Sequence, residues 1–169
     1  MVKGYLANQL GFSETGRYVL DNLIKPRIEG IGIEILDPFV ECAKKLDPKK
    51  VKILEKGSYS SLLRYWRKFS MEVPYINNKL MREADCMFAI LDGGASMDDG
   101  VASEIGYYVG LNLSGPIFAL RTDFRLSENI ACLINPQVHG YIITNGSLST
   151  TLNGFFKNIN YWYESLRKN

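Results

Sequence analysis

Short apolar runs alternate along the chain with longer segments whose apolar residues recur at helical spacing. Residues 2–7 read as a buried first strand. Ser13 can cap a helix running to about residue 28, with Leu20, Leu23 and Ile24 on one face; Pro26 predicts an early end or a kink. Gly30-Ile31-Gly32 is a turn, and residues 33–36 a short strand closed by Asp37-Pro38. Residues 39–70 read as helical pieces broken at Asp47-Pro48 and Gly57-Ser58. Within them Leu62, Leu63, Trp66 and Phe69 keep helical spacing, suited to core or to a subunit contact. Residues 75–83 predict another helix, 86–91 a central strand and 101–111 a helix. Residues 117–121 predict a strand after the Ser114-Gly115-Pro116 turn, and 140–143 a last short strand. Residues 148–166 predict a C-terminal helix whose aromatic stripe (Phe155, Phe156, Tyr161, Trp162) fits core packing. This alternation predicts a single α/β domain over residues 1–169. Its sheet should be mostly parallel and doubly wound (Rossmann/flavodoxin-like), with helices on both faces.

Composition narrows the function classes. Apolar residues make up 46% of the chain, a normal globular share. The net charge of +2 gives no argument for nucleic acid or an anionic membrane, and the basic clusters at 44–56 and 64–68 read as solvated faces. No apolar run approaches the ~20 residues of a membrane span. The N-terminus reads as a first strand rather than a secretory signal. Cys42, Cys86 and Cys132 stand far apart, against a disulfide framework or zinc knuckle, so a reduced, cytoplasmic protein is expected. His139 is the only histidine and reads as structural. Neither a dinucleotide glycine fingerprint nor a Walker-type loop follows the first strand. Chemistry is therefore expected to run on carboxylates, without metal or organic cofactor.

The candidate chemistry lies where the apolar run 87–91 ends in Asp92, passes through a glycine-rich acidic loop and enters a helix carrying Glu104. Open α/β sheets bind ligands at the carboxyl edge of their strands, so Asp92, Asp98 and Glu104 are placed to converge there. Converging carboxylates separate their pKa values, as acid/base or nucleophilic chemistry requires. The blander alternative makes Asp98-Asp99-Gly100 a helix start and Glu104 a solvated residue. The apolar, small surroundings Ile105, Gly106, Tyr107, Tyr108, Val109 and Gly110 argue for a helix packed closely on the sheet instead.

Several segments together resemble the nucleoside 2-deoxyribosyltransferase family. Residues 5–14 (Tyr-Leu-Ala-Asn-Gln-Leu-Gly-Phe-Ser-Glu) resemble its opening strand and loop, and 77–85 the helix before its central strand. Leu91-Asp92-Gly93 with residues 98–107 resembles its catalytic signature, and 117–125 the strand and turn that follow. The likeness spans most of the chain in order and is weakest over 39–74. It implies 2-deoxyribosyl transfer between nucleobases through a covalent glycosyl-enzyme. By position it makes Glu104 the nucleophile, Asp92 and Asp98 the groups that bind nucleoside and assist protonation of the leaving base, and Tyr5 the holder of the nucleophile. Gln9, Phe12 and Gly100 are expected to bind substrate. Asn135, or alternatively Asn129, resembles a site asparagine contributed by a neighbouring subunit, which implies a homo-oligomer with shared active sites. Val101 stands where the family often has Thr or Ser.

The chemistry suits these residues independently. Breaking an N-glycosidic bond builds oxocarbenium character, which one carboxylate can capture while a second acid protonates the base. Recapture by another base gives transfer; recapture by water gives hydrolysis, of a nucleoside or a nucleoside 5′-monophosphate. For a phosphate, Gly11, Ser13 and Arg17 offer donors, though Ser13 also reads as a plain helix cap. A non-catalytic nucleotide-binding module is the third alternative; it gains little from a buried carboxylate.

Overall fold

Parallel strands buried on both faces need continuous apolar sequence, and the central runs supply it. In a computed structural model, β1 (Val2–Asn8), β2 (Ile33–Leu36), β3 (Cys86–Ile90), β4 (Ile117–Leu120) and β5 (Gly146–Ser149) form one sheet in the order β2-β1-β3-β4-β5. Every pairing is parallel. The structure describes residues 1–94, 96–111, 115–125 and 132–168. No helix among them is long and apolar enough to cross a membrane.

Strand parity divides the core into two layers. On one face Tyr5, Ala7, Met87, Ala89 and Leu91 pack under α5 (Tyr59–Glu83), α6 (Asp99–Gly110) and α7 (Pro136–Asn145). On the other, Leu6, Phe88, Ile90 and Phe118 meet Leu20, Ile24 and Ile28 from the first helical segment and Phe155, Phe156 and Ile159 from α8 (Leu152–Leu166). The odd parity of Tyr5 aims its phenol at α6.

The expected first helix runs as α1 (Glu14–Val19), a π-helical turn (Leu20–Ile24) and α2 (Lys25–Ile31). Pro26 lacks an N–H for the i−4 carbonyl, and the wider π turn lies immediately before it. Of the end or kink that Pro26 predicts, the structure shows no end: the helical segment continues to Ile31. Ser13 caps it, its Oγ accepting from Gly16 N at 3.0 Å. The breaks at Asp47-Pro48 and Gly57-Ser58 delimit α3 (Pro38–Ala43), α4 (Pro48–Glu55) and α5. The helix predicted at 75–83 is the C-terminal part of α5, which passes through Pro74 without ending.

The last strand is displaced from its predicted place. Residues 140–143 lie inside α7, where Asn135 Oδ1 accepts from Gln137 N at 2.9 Å, Pro136 opens the helix, and Val138 and Ile142 bury at helical spacing. The strand is Gly146–Ser149, and α8 starts only at Leu152, after the Thr151 cap. Of the aromatic stripe, Phe155 and Phe156 are buried, whereas Tyr161 is exposed. Gly146 is required by close approach: a Cβ there would stand 1.9 Å from the Ile117 carbonyl oxygen, its strand partner. Gly146→Ala is expected to destabilise by about 1–3 kcal/mol, as overpacking generally does, read as a lowered urea midpoint at unchanged slope.

Candidate active site

Two consecutive features of the sequence place the central acid. Asp98 caps α6, its Oδ1 accepting from Val101 N at 3.1 Å, which starts the helix at the carboxyl edge of β3. Glu104 follows within the next two turns and points back at β1. There Tyr5, fully buried, donates from Oη to Glu104 Oε1 at 2.7 Å. Asn77 of α5 donates from Nδ2 to the same oxygen at 2.9 Å. Both donors converge on Oε1, and Oε2 accepts from neither.

Burial pushes the Glu104 carboxyl up to about 7; the Tyr5 and Asn77 hydrogen bonds oppose that rise and the nearby Asp98 adds to it. The Tyr5 phenol is held far above its ordinary range, first by burial and then by the Glu104 charge, so it stays a donor.

Glu104 opens onto a cavity of about 430 Å³. Asp98, Gly100 and Val101 line it from the α6 side, Asn8 from the end of β1, Phe12 from the turn that follows, Arg17 from α1, and Phe39 and Cys42 from α3. Phe69, Val73 and Asn77 of α5 complete that wall. Phe12 and Phe39 meet edge to face with centroids 4.9 Å apart. The cavity thus combines acids at its base with aromatic and aliphatic sides, a shape suited to a flat heterocycle joined to a polar ring. Asp37 anchors α3 against it, capping Phe39 N at 2.9 Å and pairing with Lys25 at 2.6 Å. Among the described residues no group of three or more His, Cys, Asp or Glu is placed to hold a metal ion.

The structure brings together Tyr5, Glu104, Asp98, Gly100 and Phe12, but it places Asp92 and Gln9 elsewhere. The Asp92 carboxylate turns to the segment after β4, accepting from Thr122 N (2.9 and 3.0 Å), Thr122 Oγ1 (2.7 Å) and Asp123 N (3.0 Å). Gln9 Nε2 donates to the Leu91 and Ser96 carbonyls, both at 3.3 Å. Neither residue is among those lining the cavity. Asn135 is exposed at the start of α7, also off the cavity of its own chain, and Asn129 lies outside the described residues. Sequence reasoning missed Asn77 as a site residue. Its signal was a polar residue at i+4 from Val73 and i+8 from Phe69, inside an otherwise apolar stripe.

A family model described as nucleoside 2-deoxyribosyltransferase matches residues 5–153. The chain belongs to this family. Among solved structures, a conserved protein from Enterococcus faecalis V583 is similar at 22% identity and TM-score 0.65, over 96% of this chain and 99% of that one. A 2-desoxiribosyltransferase from Leishmania mexicana is similar at 18% identity and TM-score 0.62, over 97% of this chain and 98% of that one. Both share this chain's fold along nearly its whole length. No curated protein matches the sequence.

Proposed function

We propose that this protein transfers a 2-deoxyribosyl group between nucleobases through a glycosyl ester on Glu104, with net retention. The observation that carries the reading is the Glu104 carboxylate itself: half-buried beside a cavity, oriented through Oε1 by Tyr5 and Asn77, with Oε2 left for attack. In the first half-reaction Oε2 bonds to C1′ as the C1′–N bond breaks. The electron pair leaves with the base nitrogen, which takes a proton from Asp98. In the second, a nitrogen of the incoming base attacks C1′, the ester bond breaks, and Asp98 recovers the proton. Two inversions give retention. Apolar side walls limit water, and a base stacked in the vacated slot holds its nitrogen at reacting distance, an advantage of several kcal/mol that water lacks.

Incubating deoxyinosine or thymidine with excess adenine and quantifying deoxyadenosine against free deoxyribose tests this. Deoxyadenosine should dominate. Free sugar outrunning it at saturating adenine would instead make the protein an N-glycosidase. One feature favours a phosphorylated substrate for that second reading: Arg17 reaches the cavity, with Nε tied to the Gly11 carbonyl at 2.7 Å. Running deoxynucleoside 5′-monophosphates in parallel separates the two.

The pH dependence follows from the site. Attack requires ionised Glu104, so kcat/KM should fall tenfold per pH unit below about 7. Tyr5→Phe removes a donor to the anion and should move that limb to higher pH. A limb unmoved by Tyr5→Phe would separate the phenol from the nucleophile's ionisation.

We further propose a homo-oligomer in which Asn135 completes a neighbour's site. Its exposed place away from the cavity of its own chain supports this, as do the exposed Tyr59, Met71 and Tyr75 of α5. Mixing inactive Glu104→Ala and Asn135→Ala subunits should restore activity in hybrids; a fully active monomer by light scattering would refute it.

A further inference from the structure

We infer that Asp92 and Gln9 are positioning residues that clamp the β3–α6 turn from opposite sides and so set where Asp98 enters the cavity. This rests on the reading that Asp98 serves the departing base.

The Leu91 carbonyl lies where strand pairing runs out, since Leu91 N to the Leu120 carbonyl is the last rung (2.9 Å). Such a carbonyl needs donors from elsewhere. It receives two: Gln9 Nε2 at 3.3 Å from the β1 side and Arg121 Nη1 at 2.6 Å from the β4 side. The same Gln9 amide reaches the Ser96 carbonyl, so one side chain ties both ends of the turn. Gly93 between them has φ +122°, and a Cβ there would stand 3.0 Å from Gln9 Cγ. The turn is therefore moulded on Gln9.

On the other side, Asp92 takes both backbone N–H groups and the hydroxyl of the Thr122-Asp123 segment. Such a carboxylate, with its acceptor sites engaged by the protein and its face off the cavity wall, is poorly placed to serve a substrate. Arg121 reinforces the point. It is 1% exposed; among the described residues its Nε and one Nη have no hydrogen-bond partner, and the carboxylate paired with it, Asp123, is 3.8 Å away and already held by Arg125. Burying a cation so sparsely paired is unfavourable. Among the described residues its one hydrogen bond goes to the Leu91 carbonyl.

Asp92→Asn replaces one acceptor oxygen with an NH₂ that faces N–H donors, so it should loosen the clamp. The expected loss is about 10–100-fold in kcat, the scale of a misplaced catalytic group, with KM little changed. The loss should be larger for bases that leave poorly, as it is for Asp98 itself. In an Asp98→Asn background, Asp92→Asn should cost less than about threefold more, because it acts through the residue already removed. Losses that multiply, or a rise in KM with kcat intact, would show that Asp92 meets substrate directly. Hydrogen exchange on the substrate-free protein supplies an arm independent of turnover. Asp92→Asn, and separately Gln9→Leu in case the first variant folds poorly, should speed exchange in peptides covering 91–98 while those of 152–166 stay protected. Unchanged exchange at 91–98 in both variants overturns the clamp. Absence of both transfer and hydrolysis in the unmodified protein would count against the functional reading alone and leave the exchange result standing.

Discussion

Glu104→Ala is expected to fold normally and lose at least about 10³-fold in turnover, the scale of removing a covalent route. The normal fold is itself an expectation with a physical basis. A buried carboxylate with a raised pKa destabilises the protein when ionised. Its folded value of about 7 stands above its ordinary 4.5. The protonated form therefore lends stability that is fully present below 4.5 and is lost as pH rises through 7. Glu104→Gln keeps an acceptor for Tyr5 and Asn77 and never ionises. At pH 8 it should be more stable than the parent by about 2–3 kcal/mol, with the gap closing towards pH 4.5. Chemical denaturation at the two pH values measures this. An inactive variant that is also more stable at pH 8 would mark Glu104 as a group retained for chemistry. Near-normal turnover in Glu104→Ala, or a sugar adduct trapped on another residue, would remove it from the mechanism.

Asp98→Asn is expected to lose about 10²–10⁴-fold with bases that leave poorly and much less with bases that leave readily. The contrast comes from proton transfer, which matters most when the departing nitrogen carries most charge. Asparagine keeps the cap, because its Oδ1 can still accept from Val101 N, so α6 and Glu104 should hold their places. The variant thus isolates the proton from the scaffold. Asp98→Ala should lose the cap as well, at about 1 kcal/mol of stability. Rates across a series of bases, plotted against leaving-group pKa, decide the point: a steeper dependence in Asp98→Asn supports the acid role, and a parallel line makes Asp98 a binding group.

The carboxyl-edge placement of the acids is legible in the sequence, because a buried strand ending in Asp92 and a capped helix at Asp98-Asp99-Gly100 are local signals. Whether each acid faces the cavity was not. Asp92 and Asp98 read alike as carboxylates flanking a glycine-rich turn, yet hydrogen-bond donors from Thr122 and Asp123, about thirty residues onward, draw Asp92 away. Asn77 was hidden for the same reason. Its partners, Tyr5 and Glu104, come from β1 and α6, and its own helix reads as separate pieces in the sequence, whereas α5 runs unbroken for 25 residues through Pro74.

What the sequence by itself determined is the alternation of two periodicities, and with it a parallel sheet covered on both faces, together with caps such as Ser13 and Asp98 that act within a few residues. Tertiary structure alone decided the rest. The edge strand Gly146–Ser149 has little apolar character and forms because β4 offers it an unpaired edge, while residues 140–143 join α7 through the Asn135-Pro136 start. The pairing of Tyr5 with Glu104 spans 99 positions and follows from strand parity and the seating of α6 on β1. Periodicity records which face a residue turns to the core; only packing brings two faces together and sets which polar groups meet there.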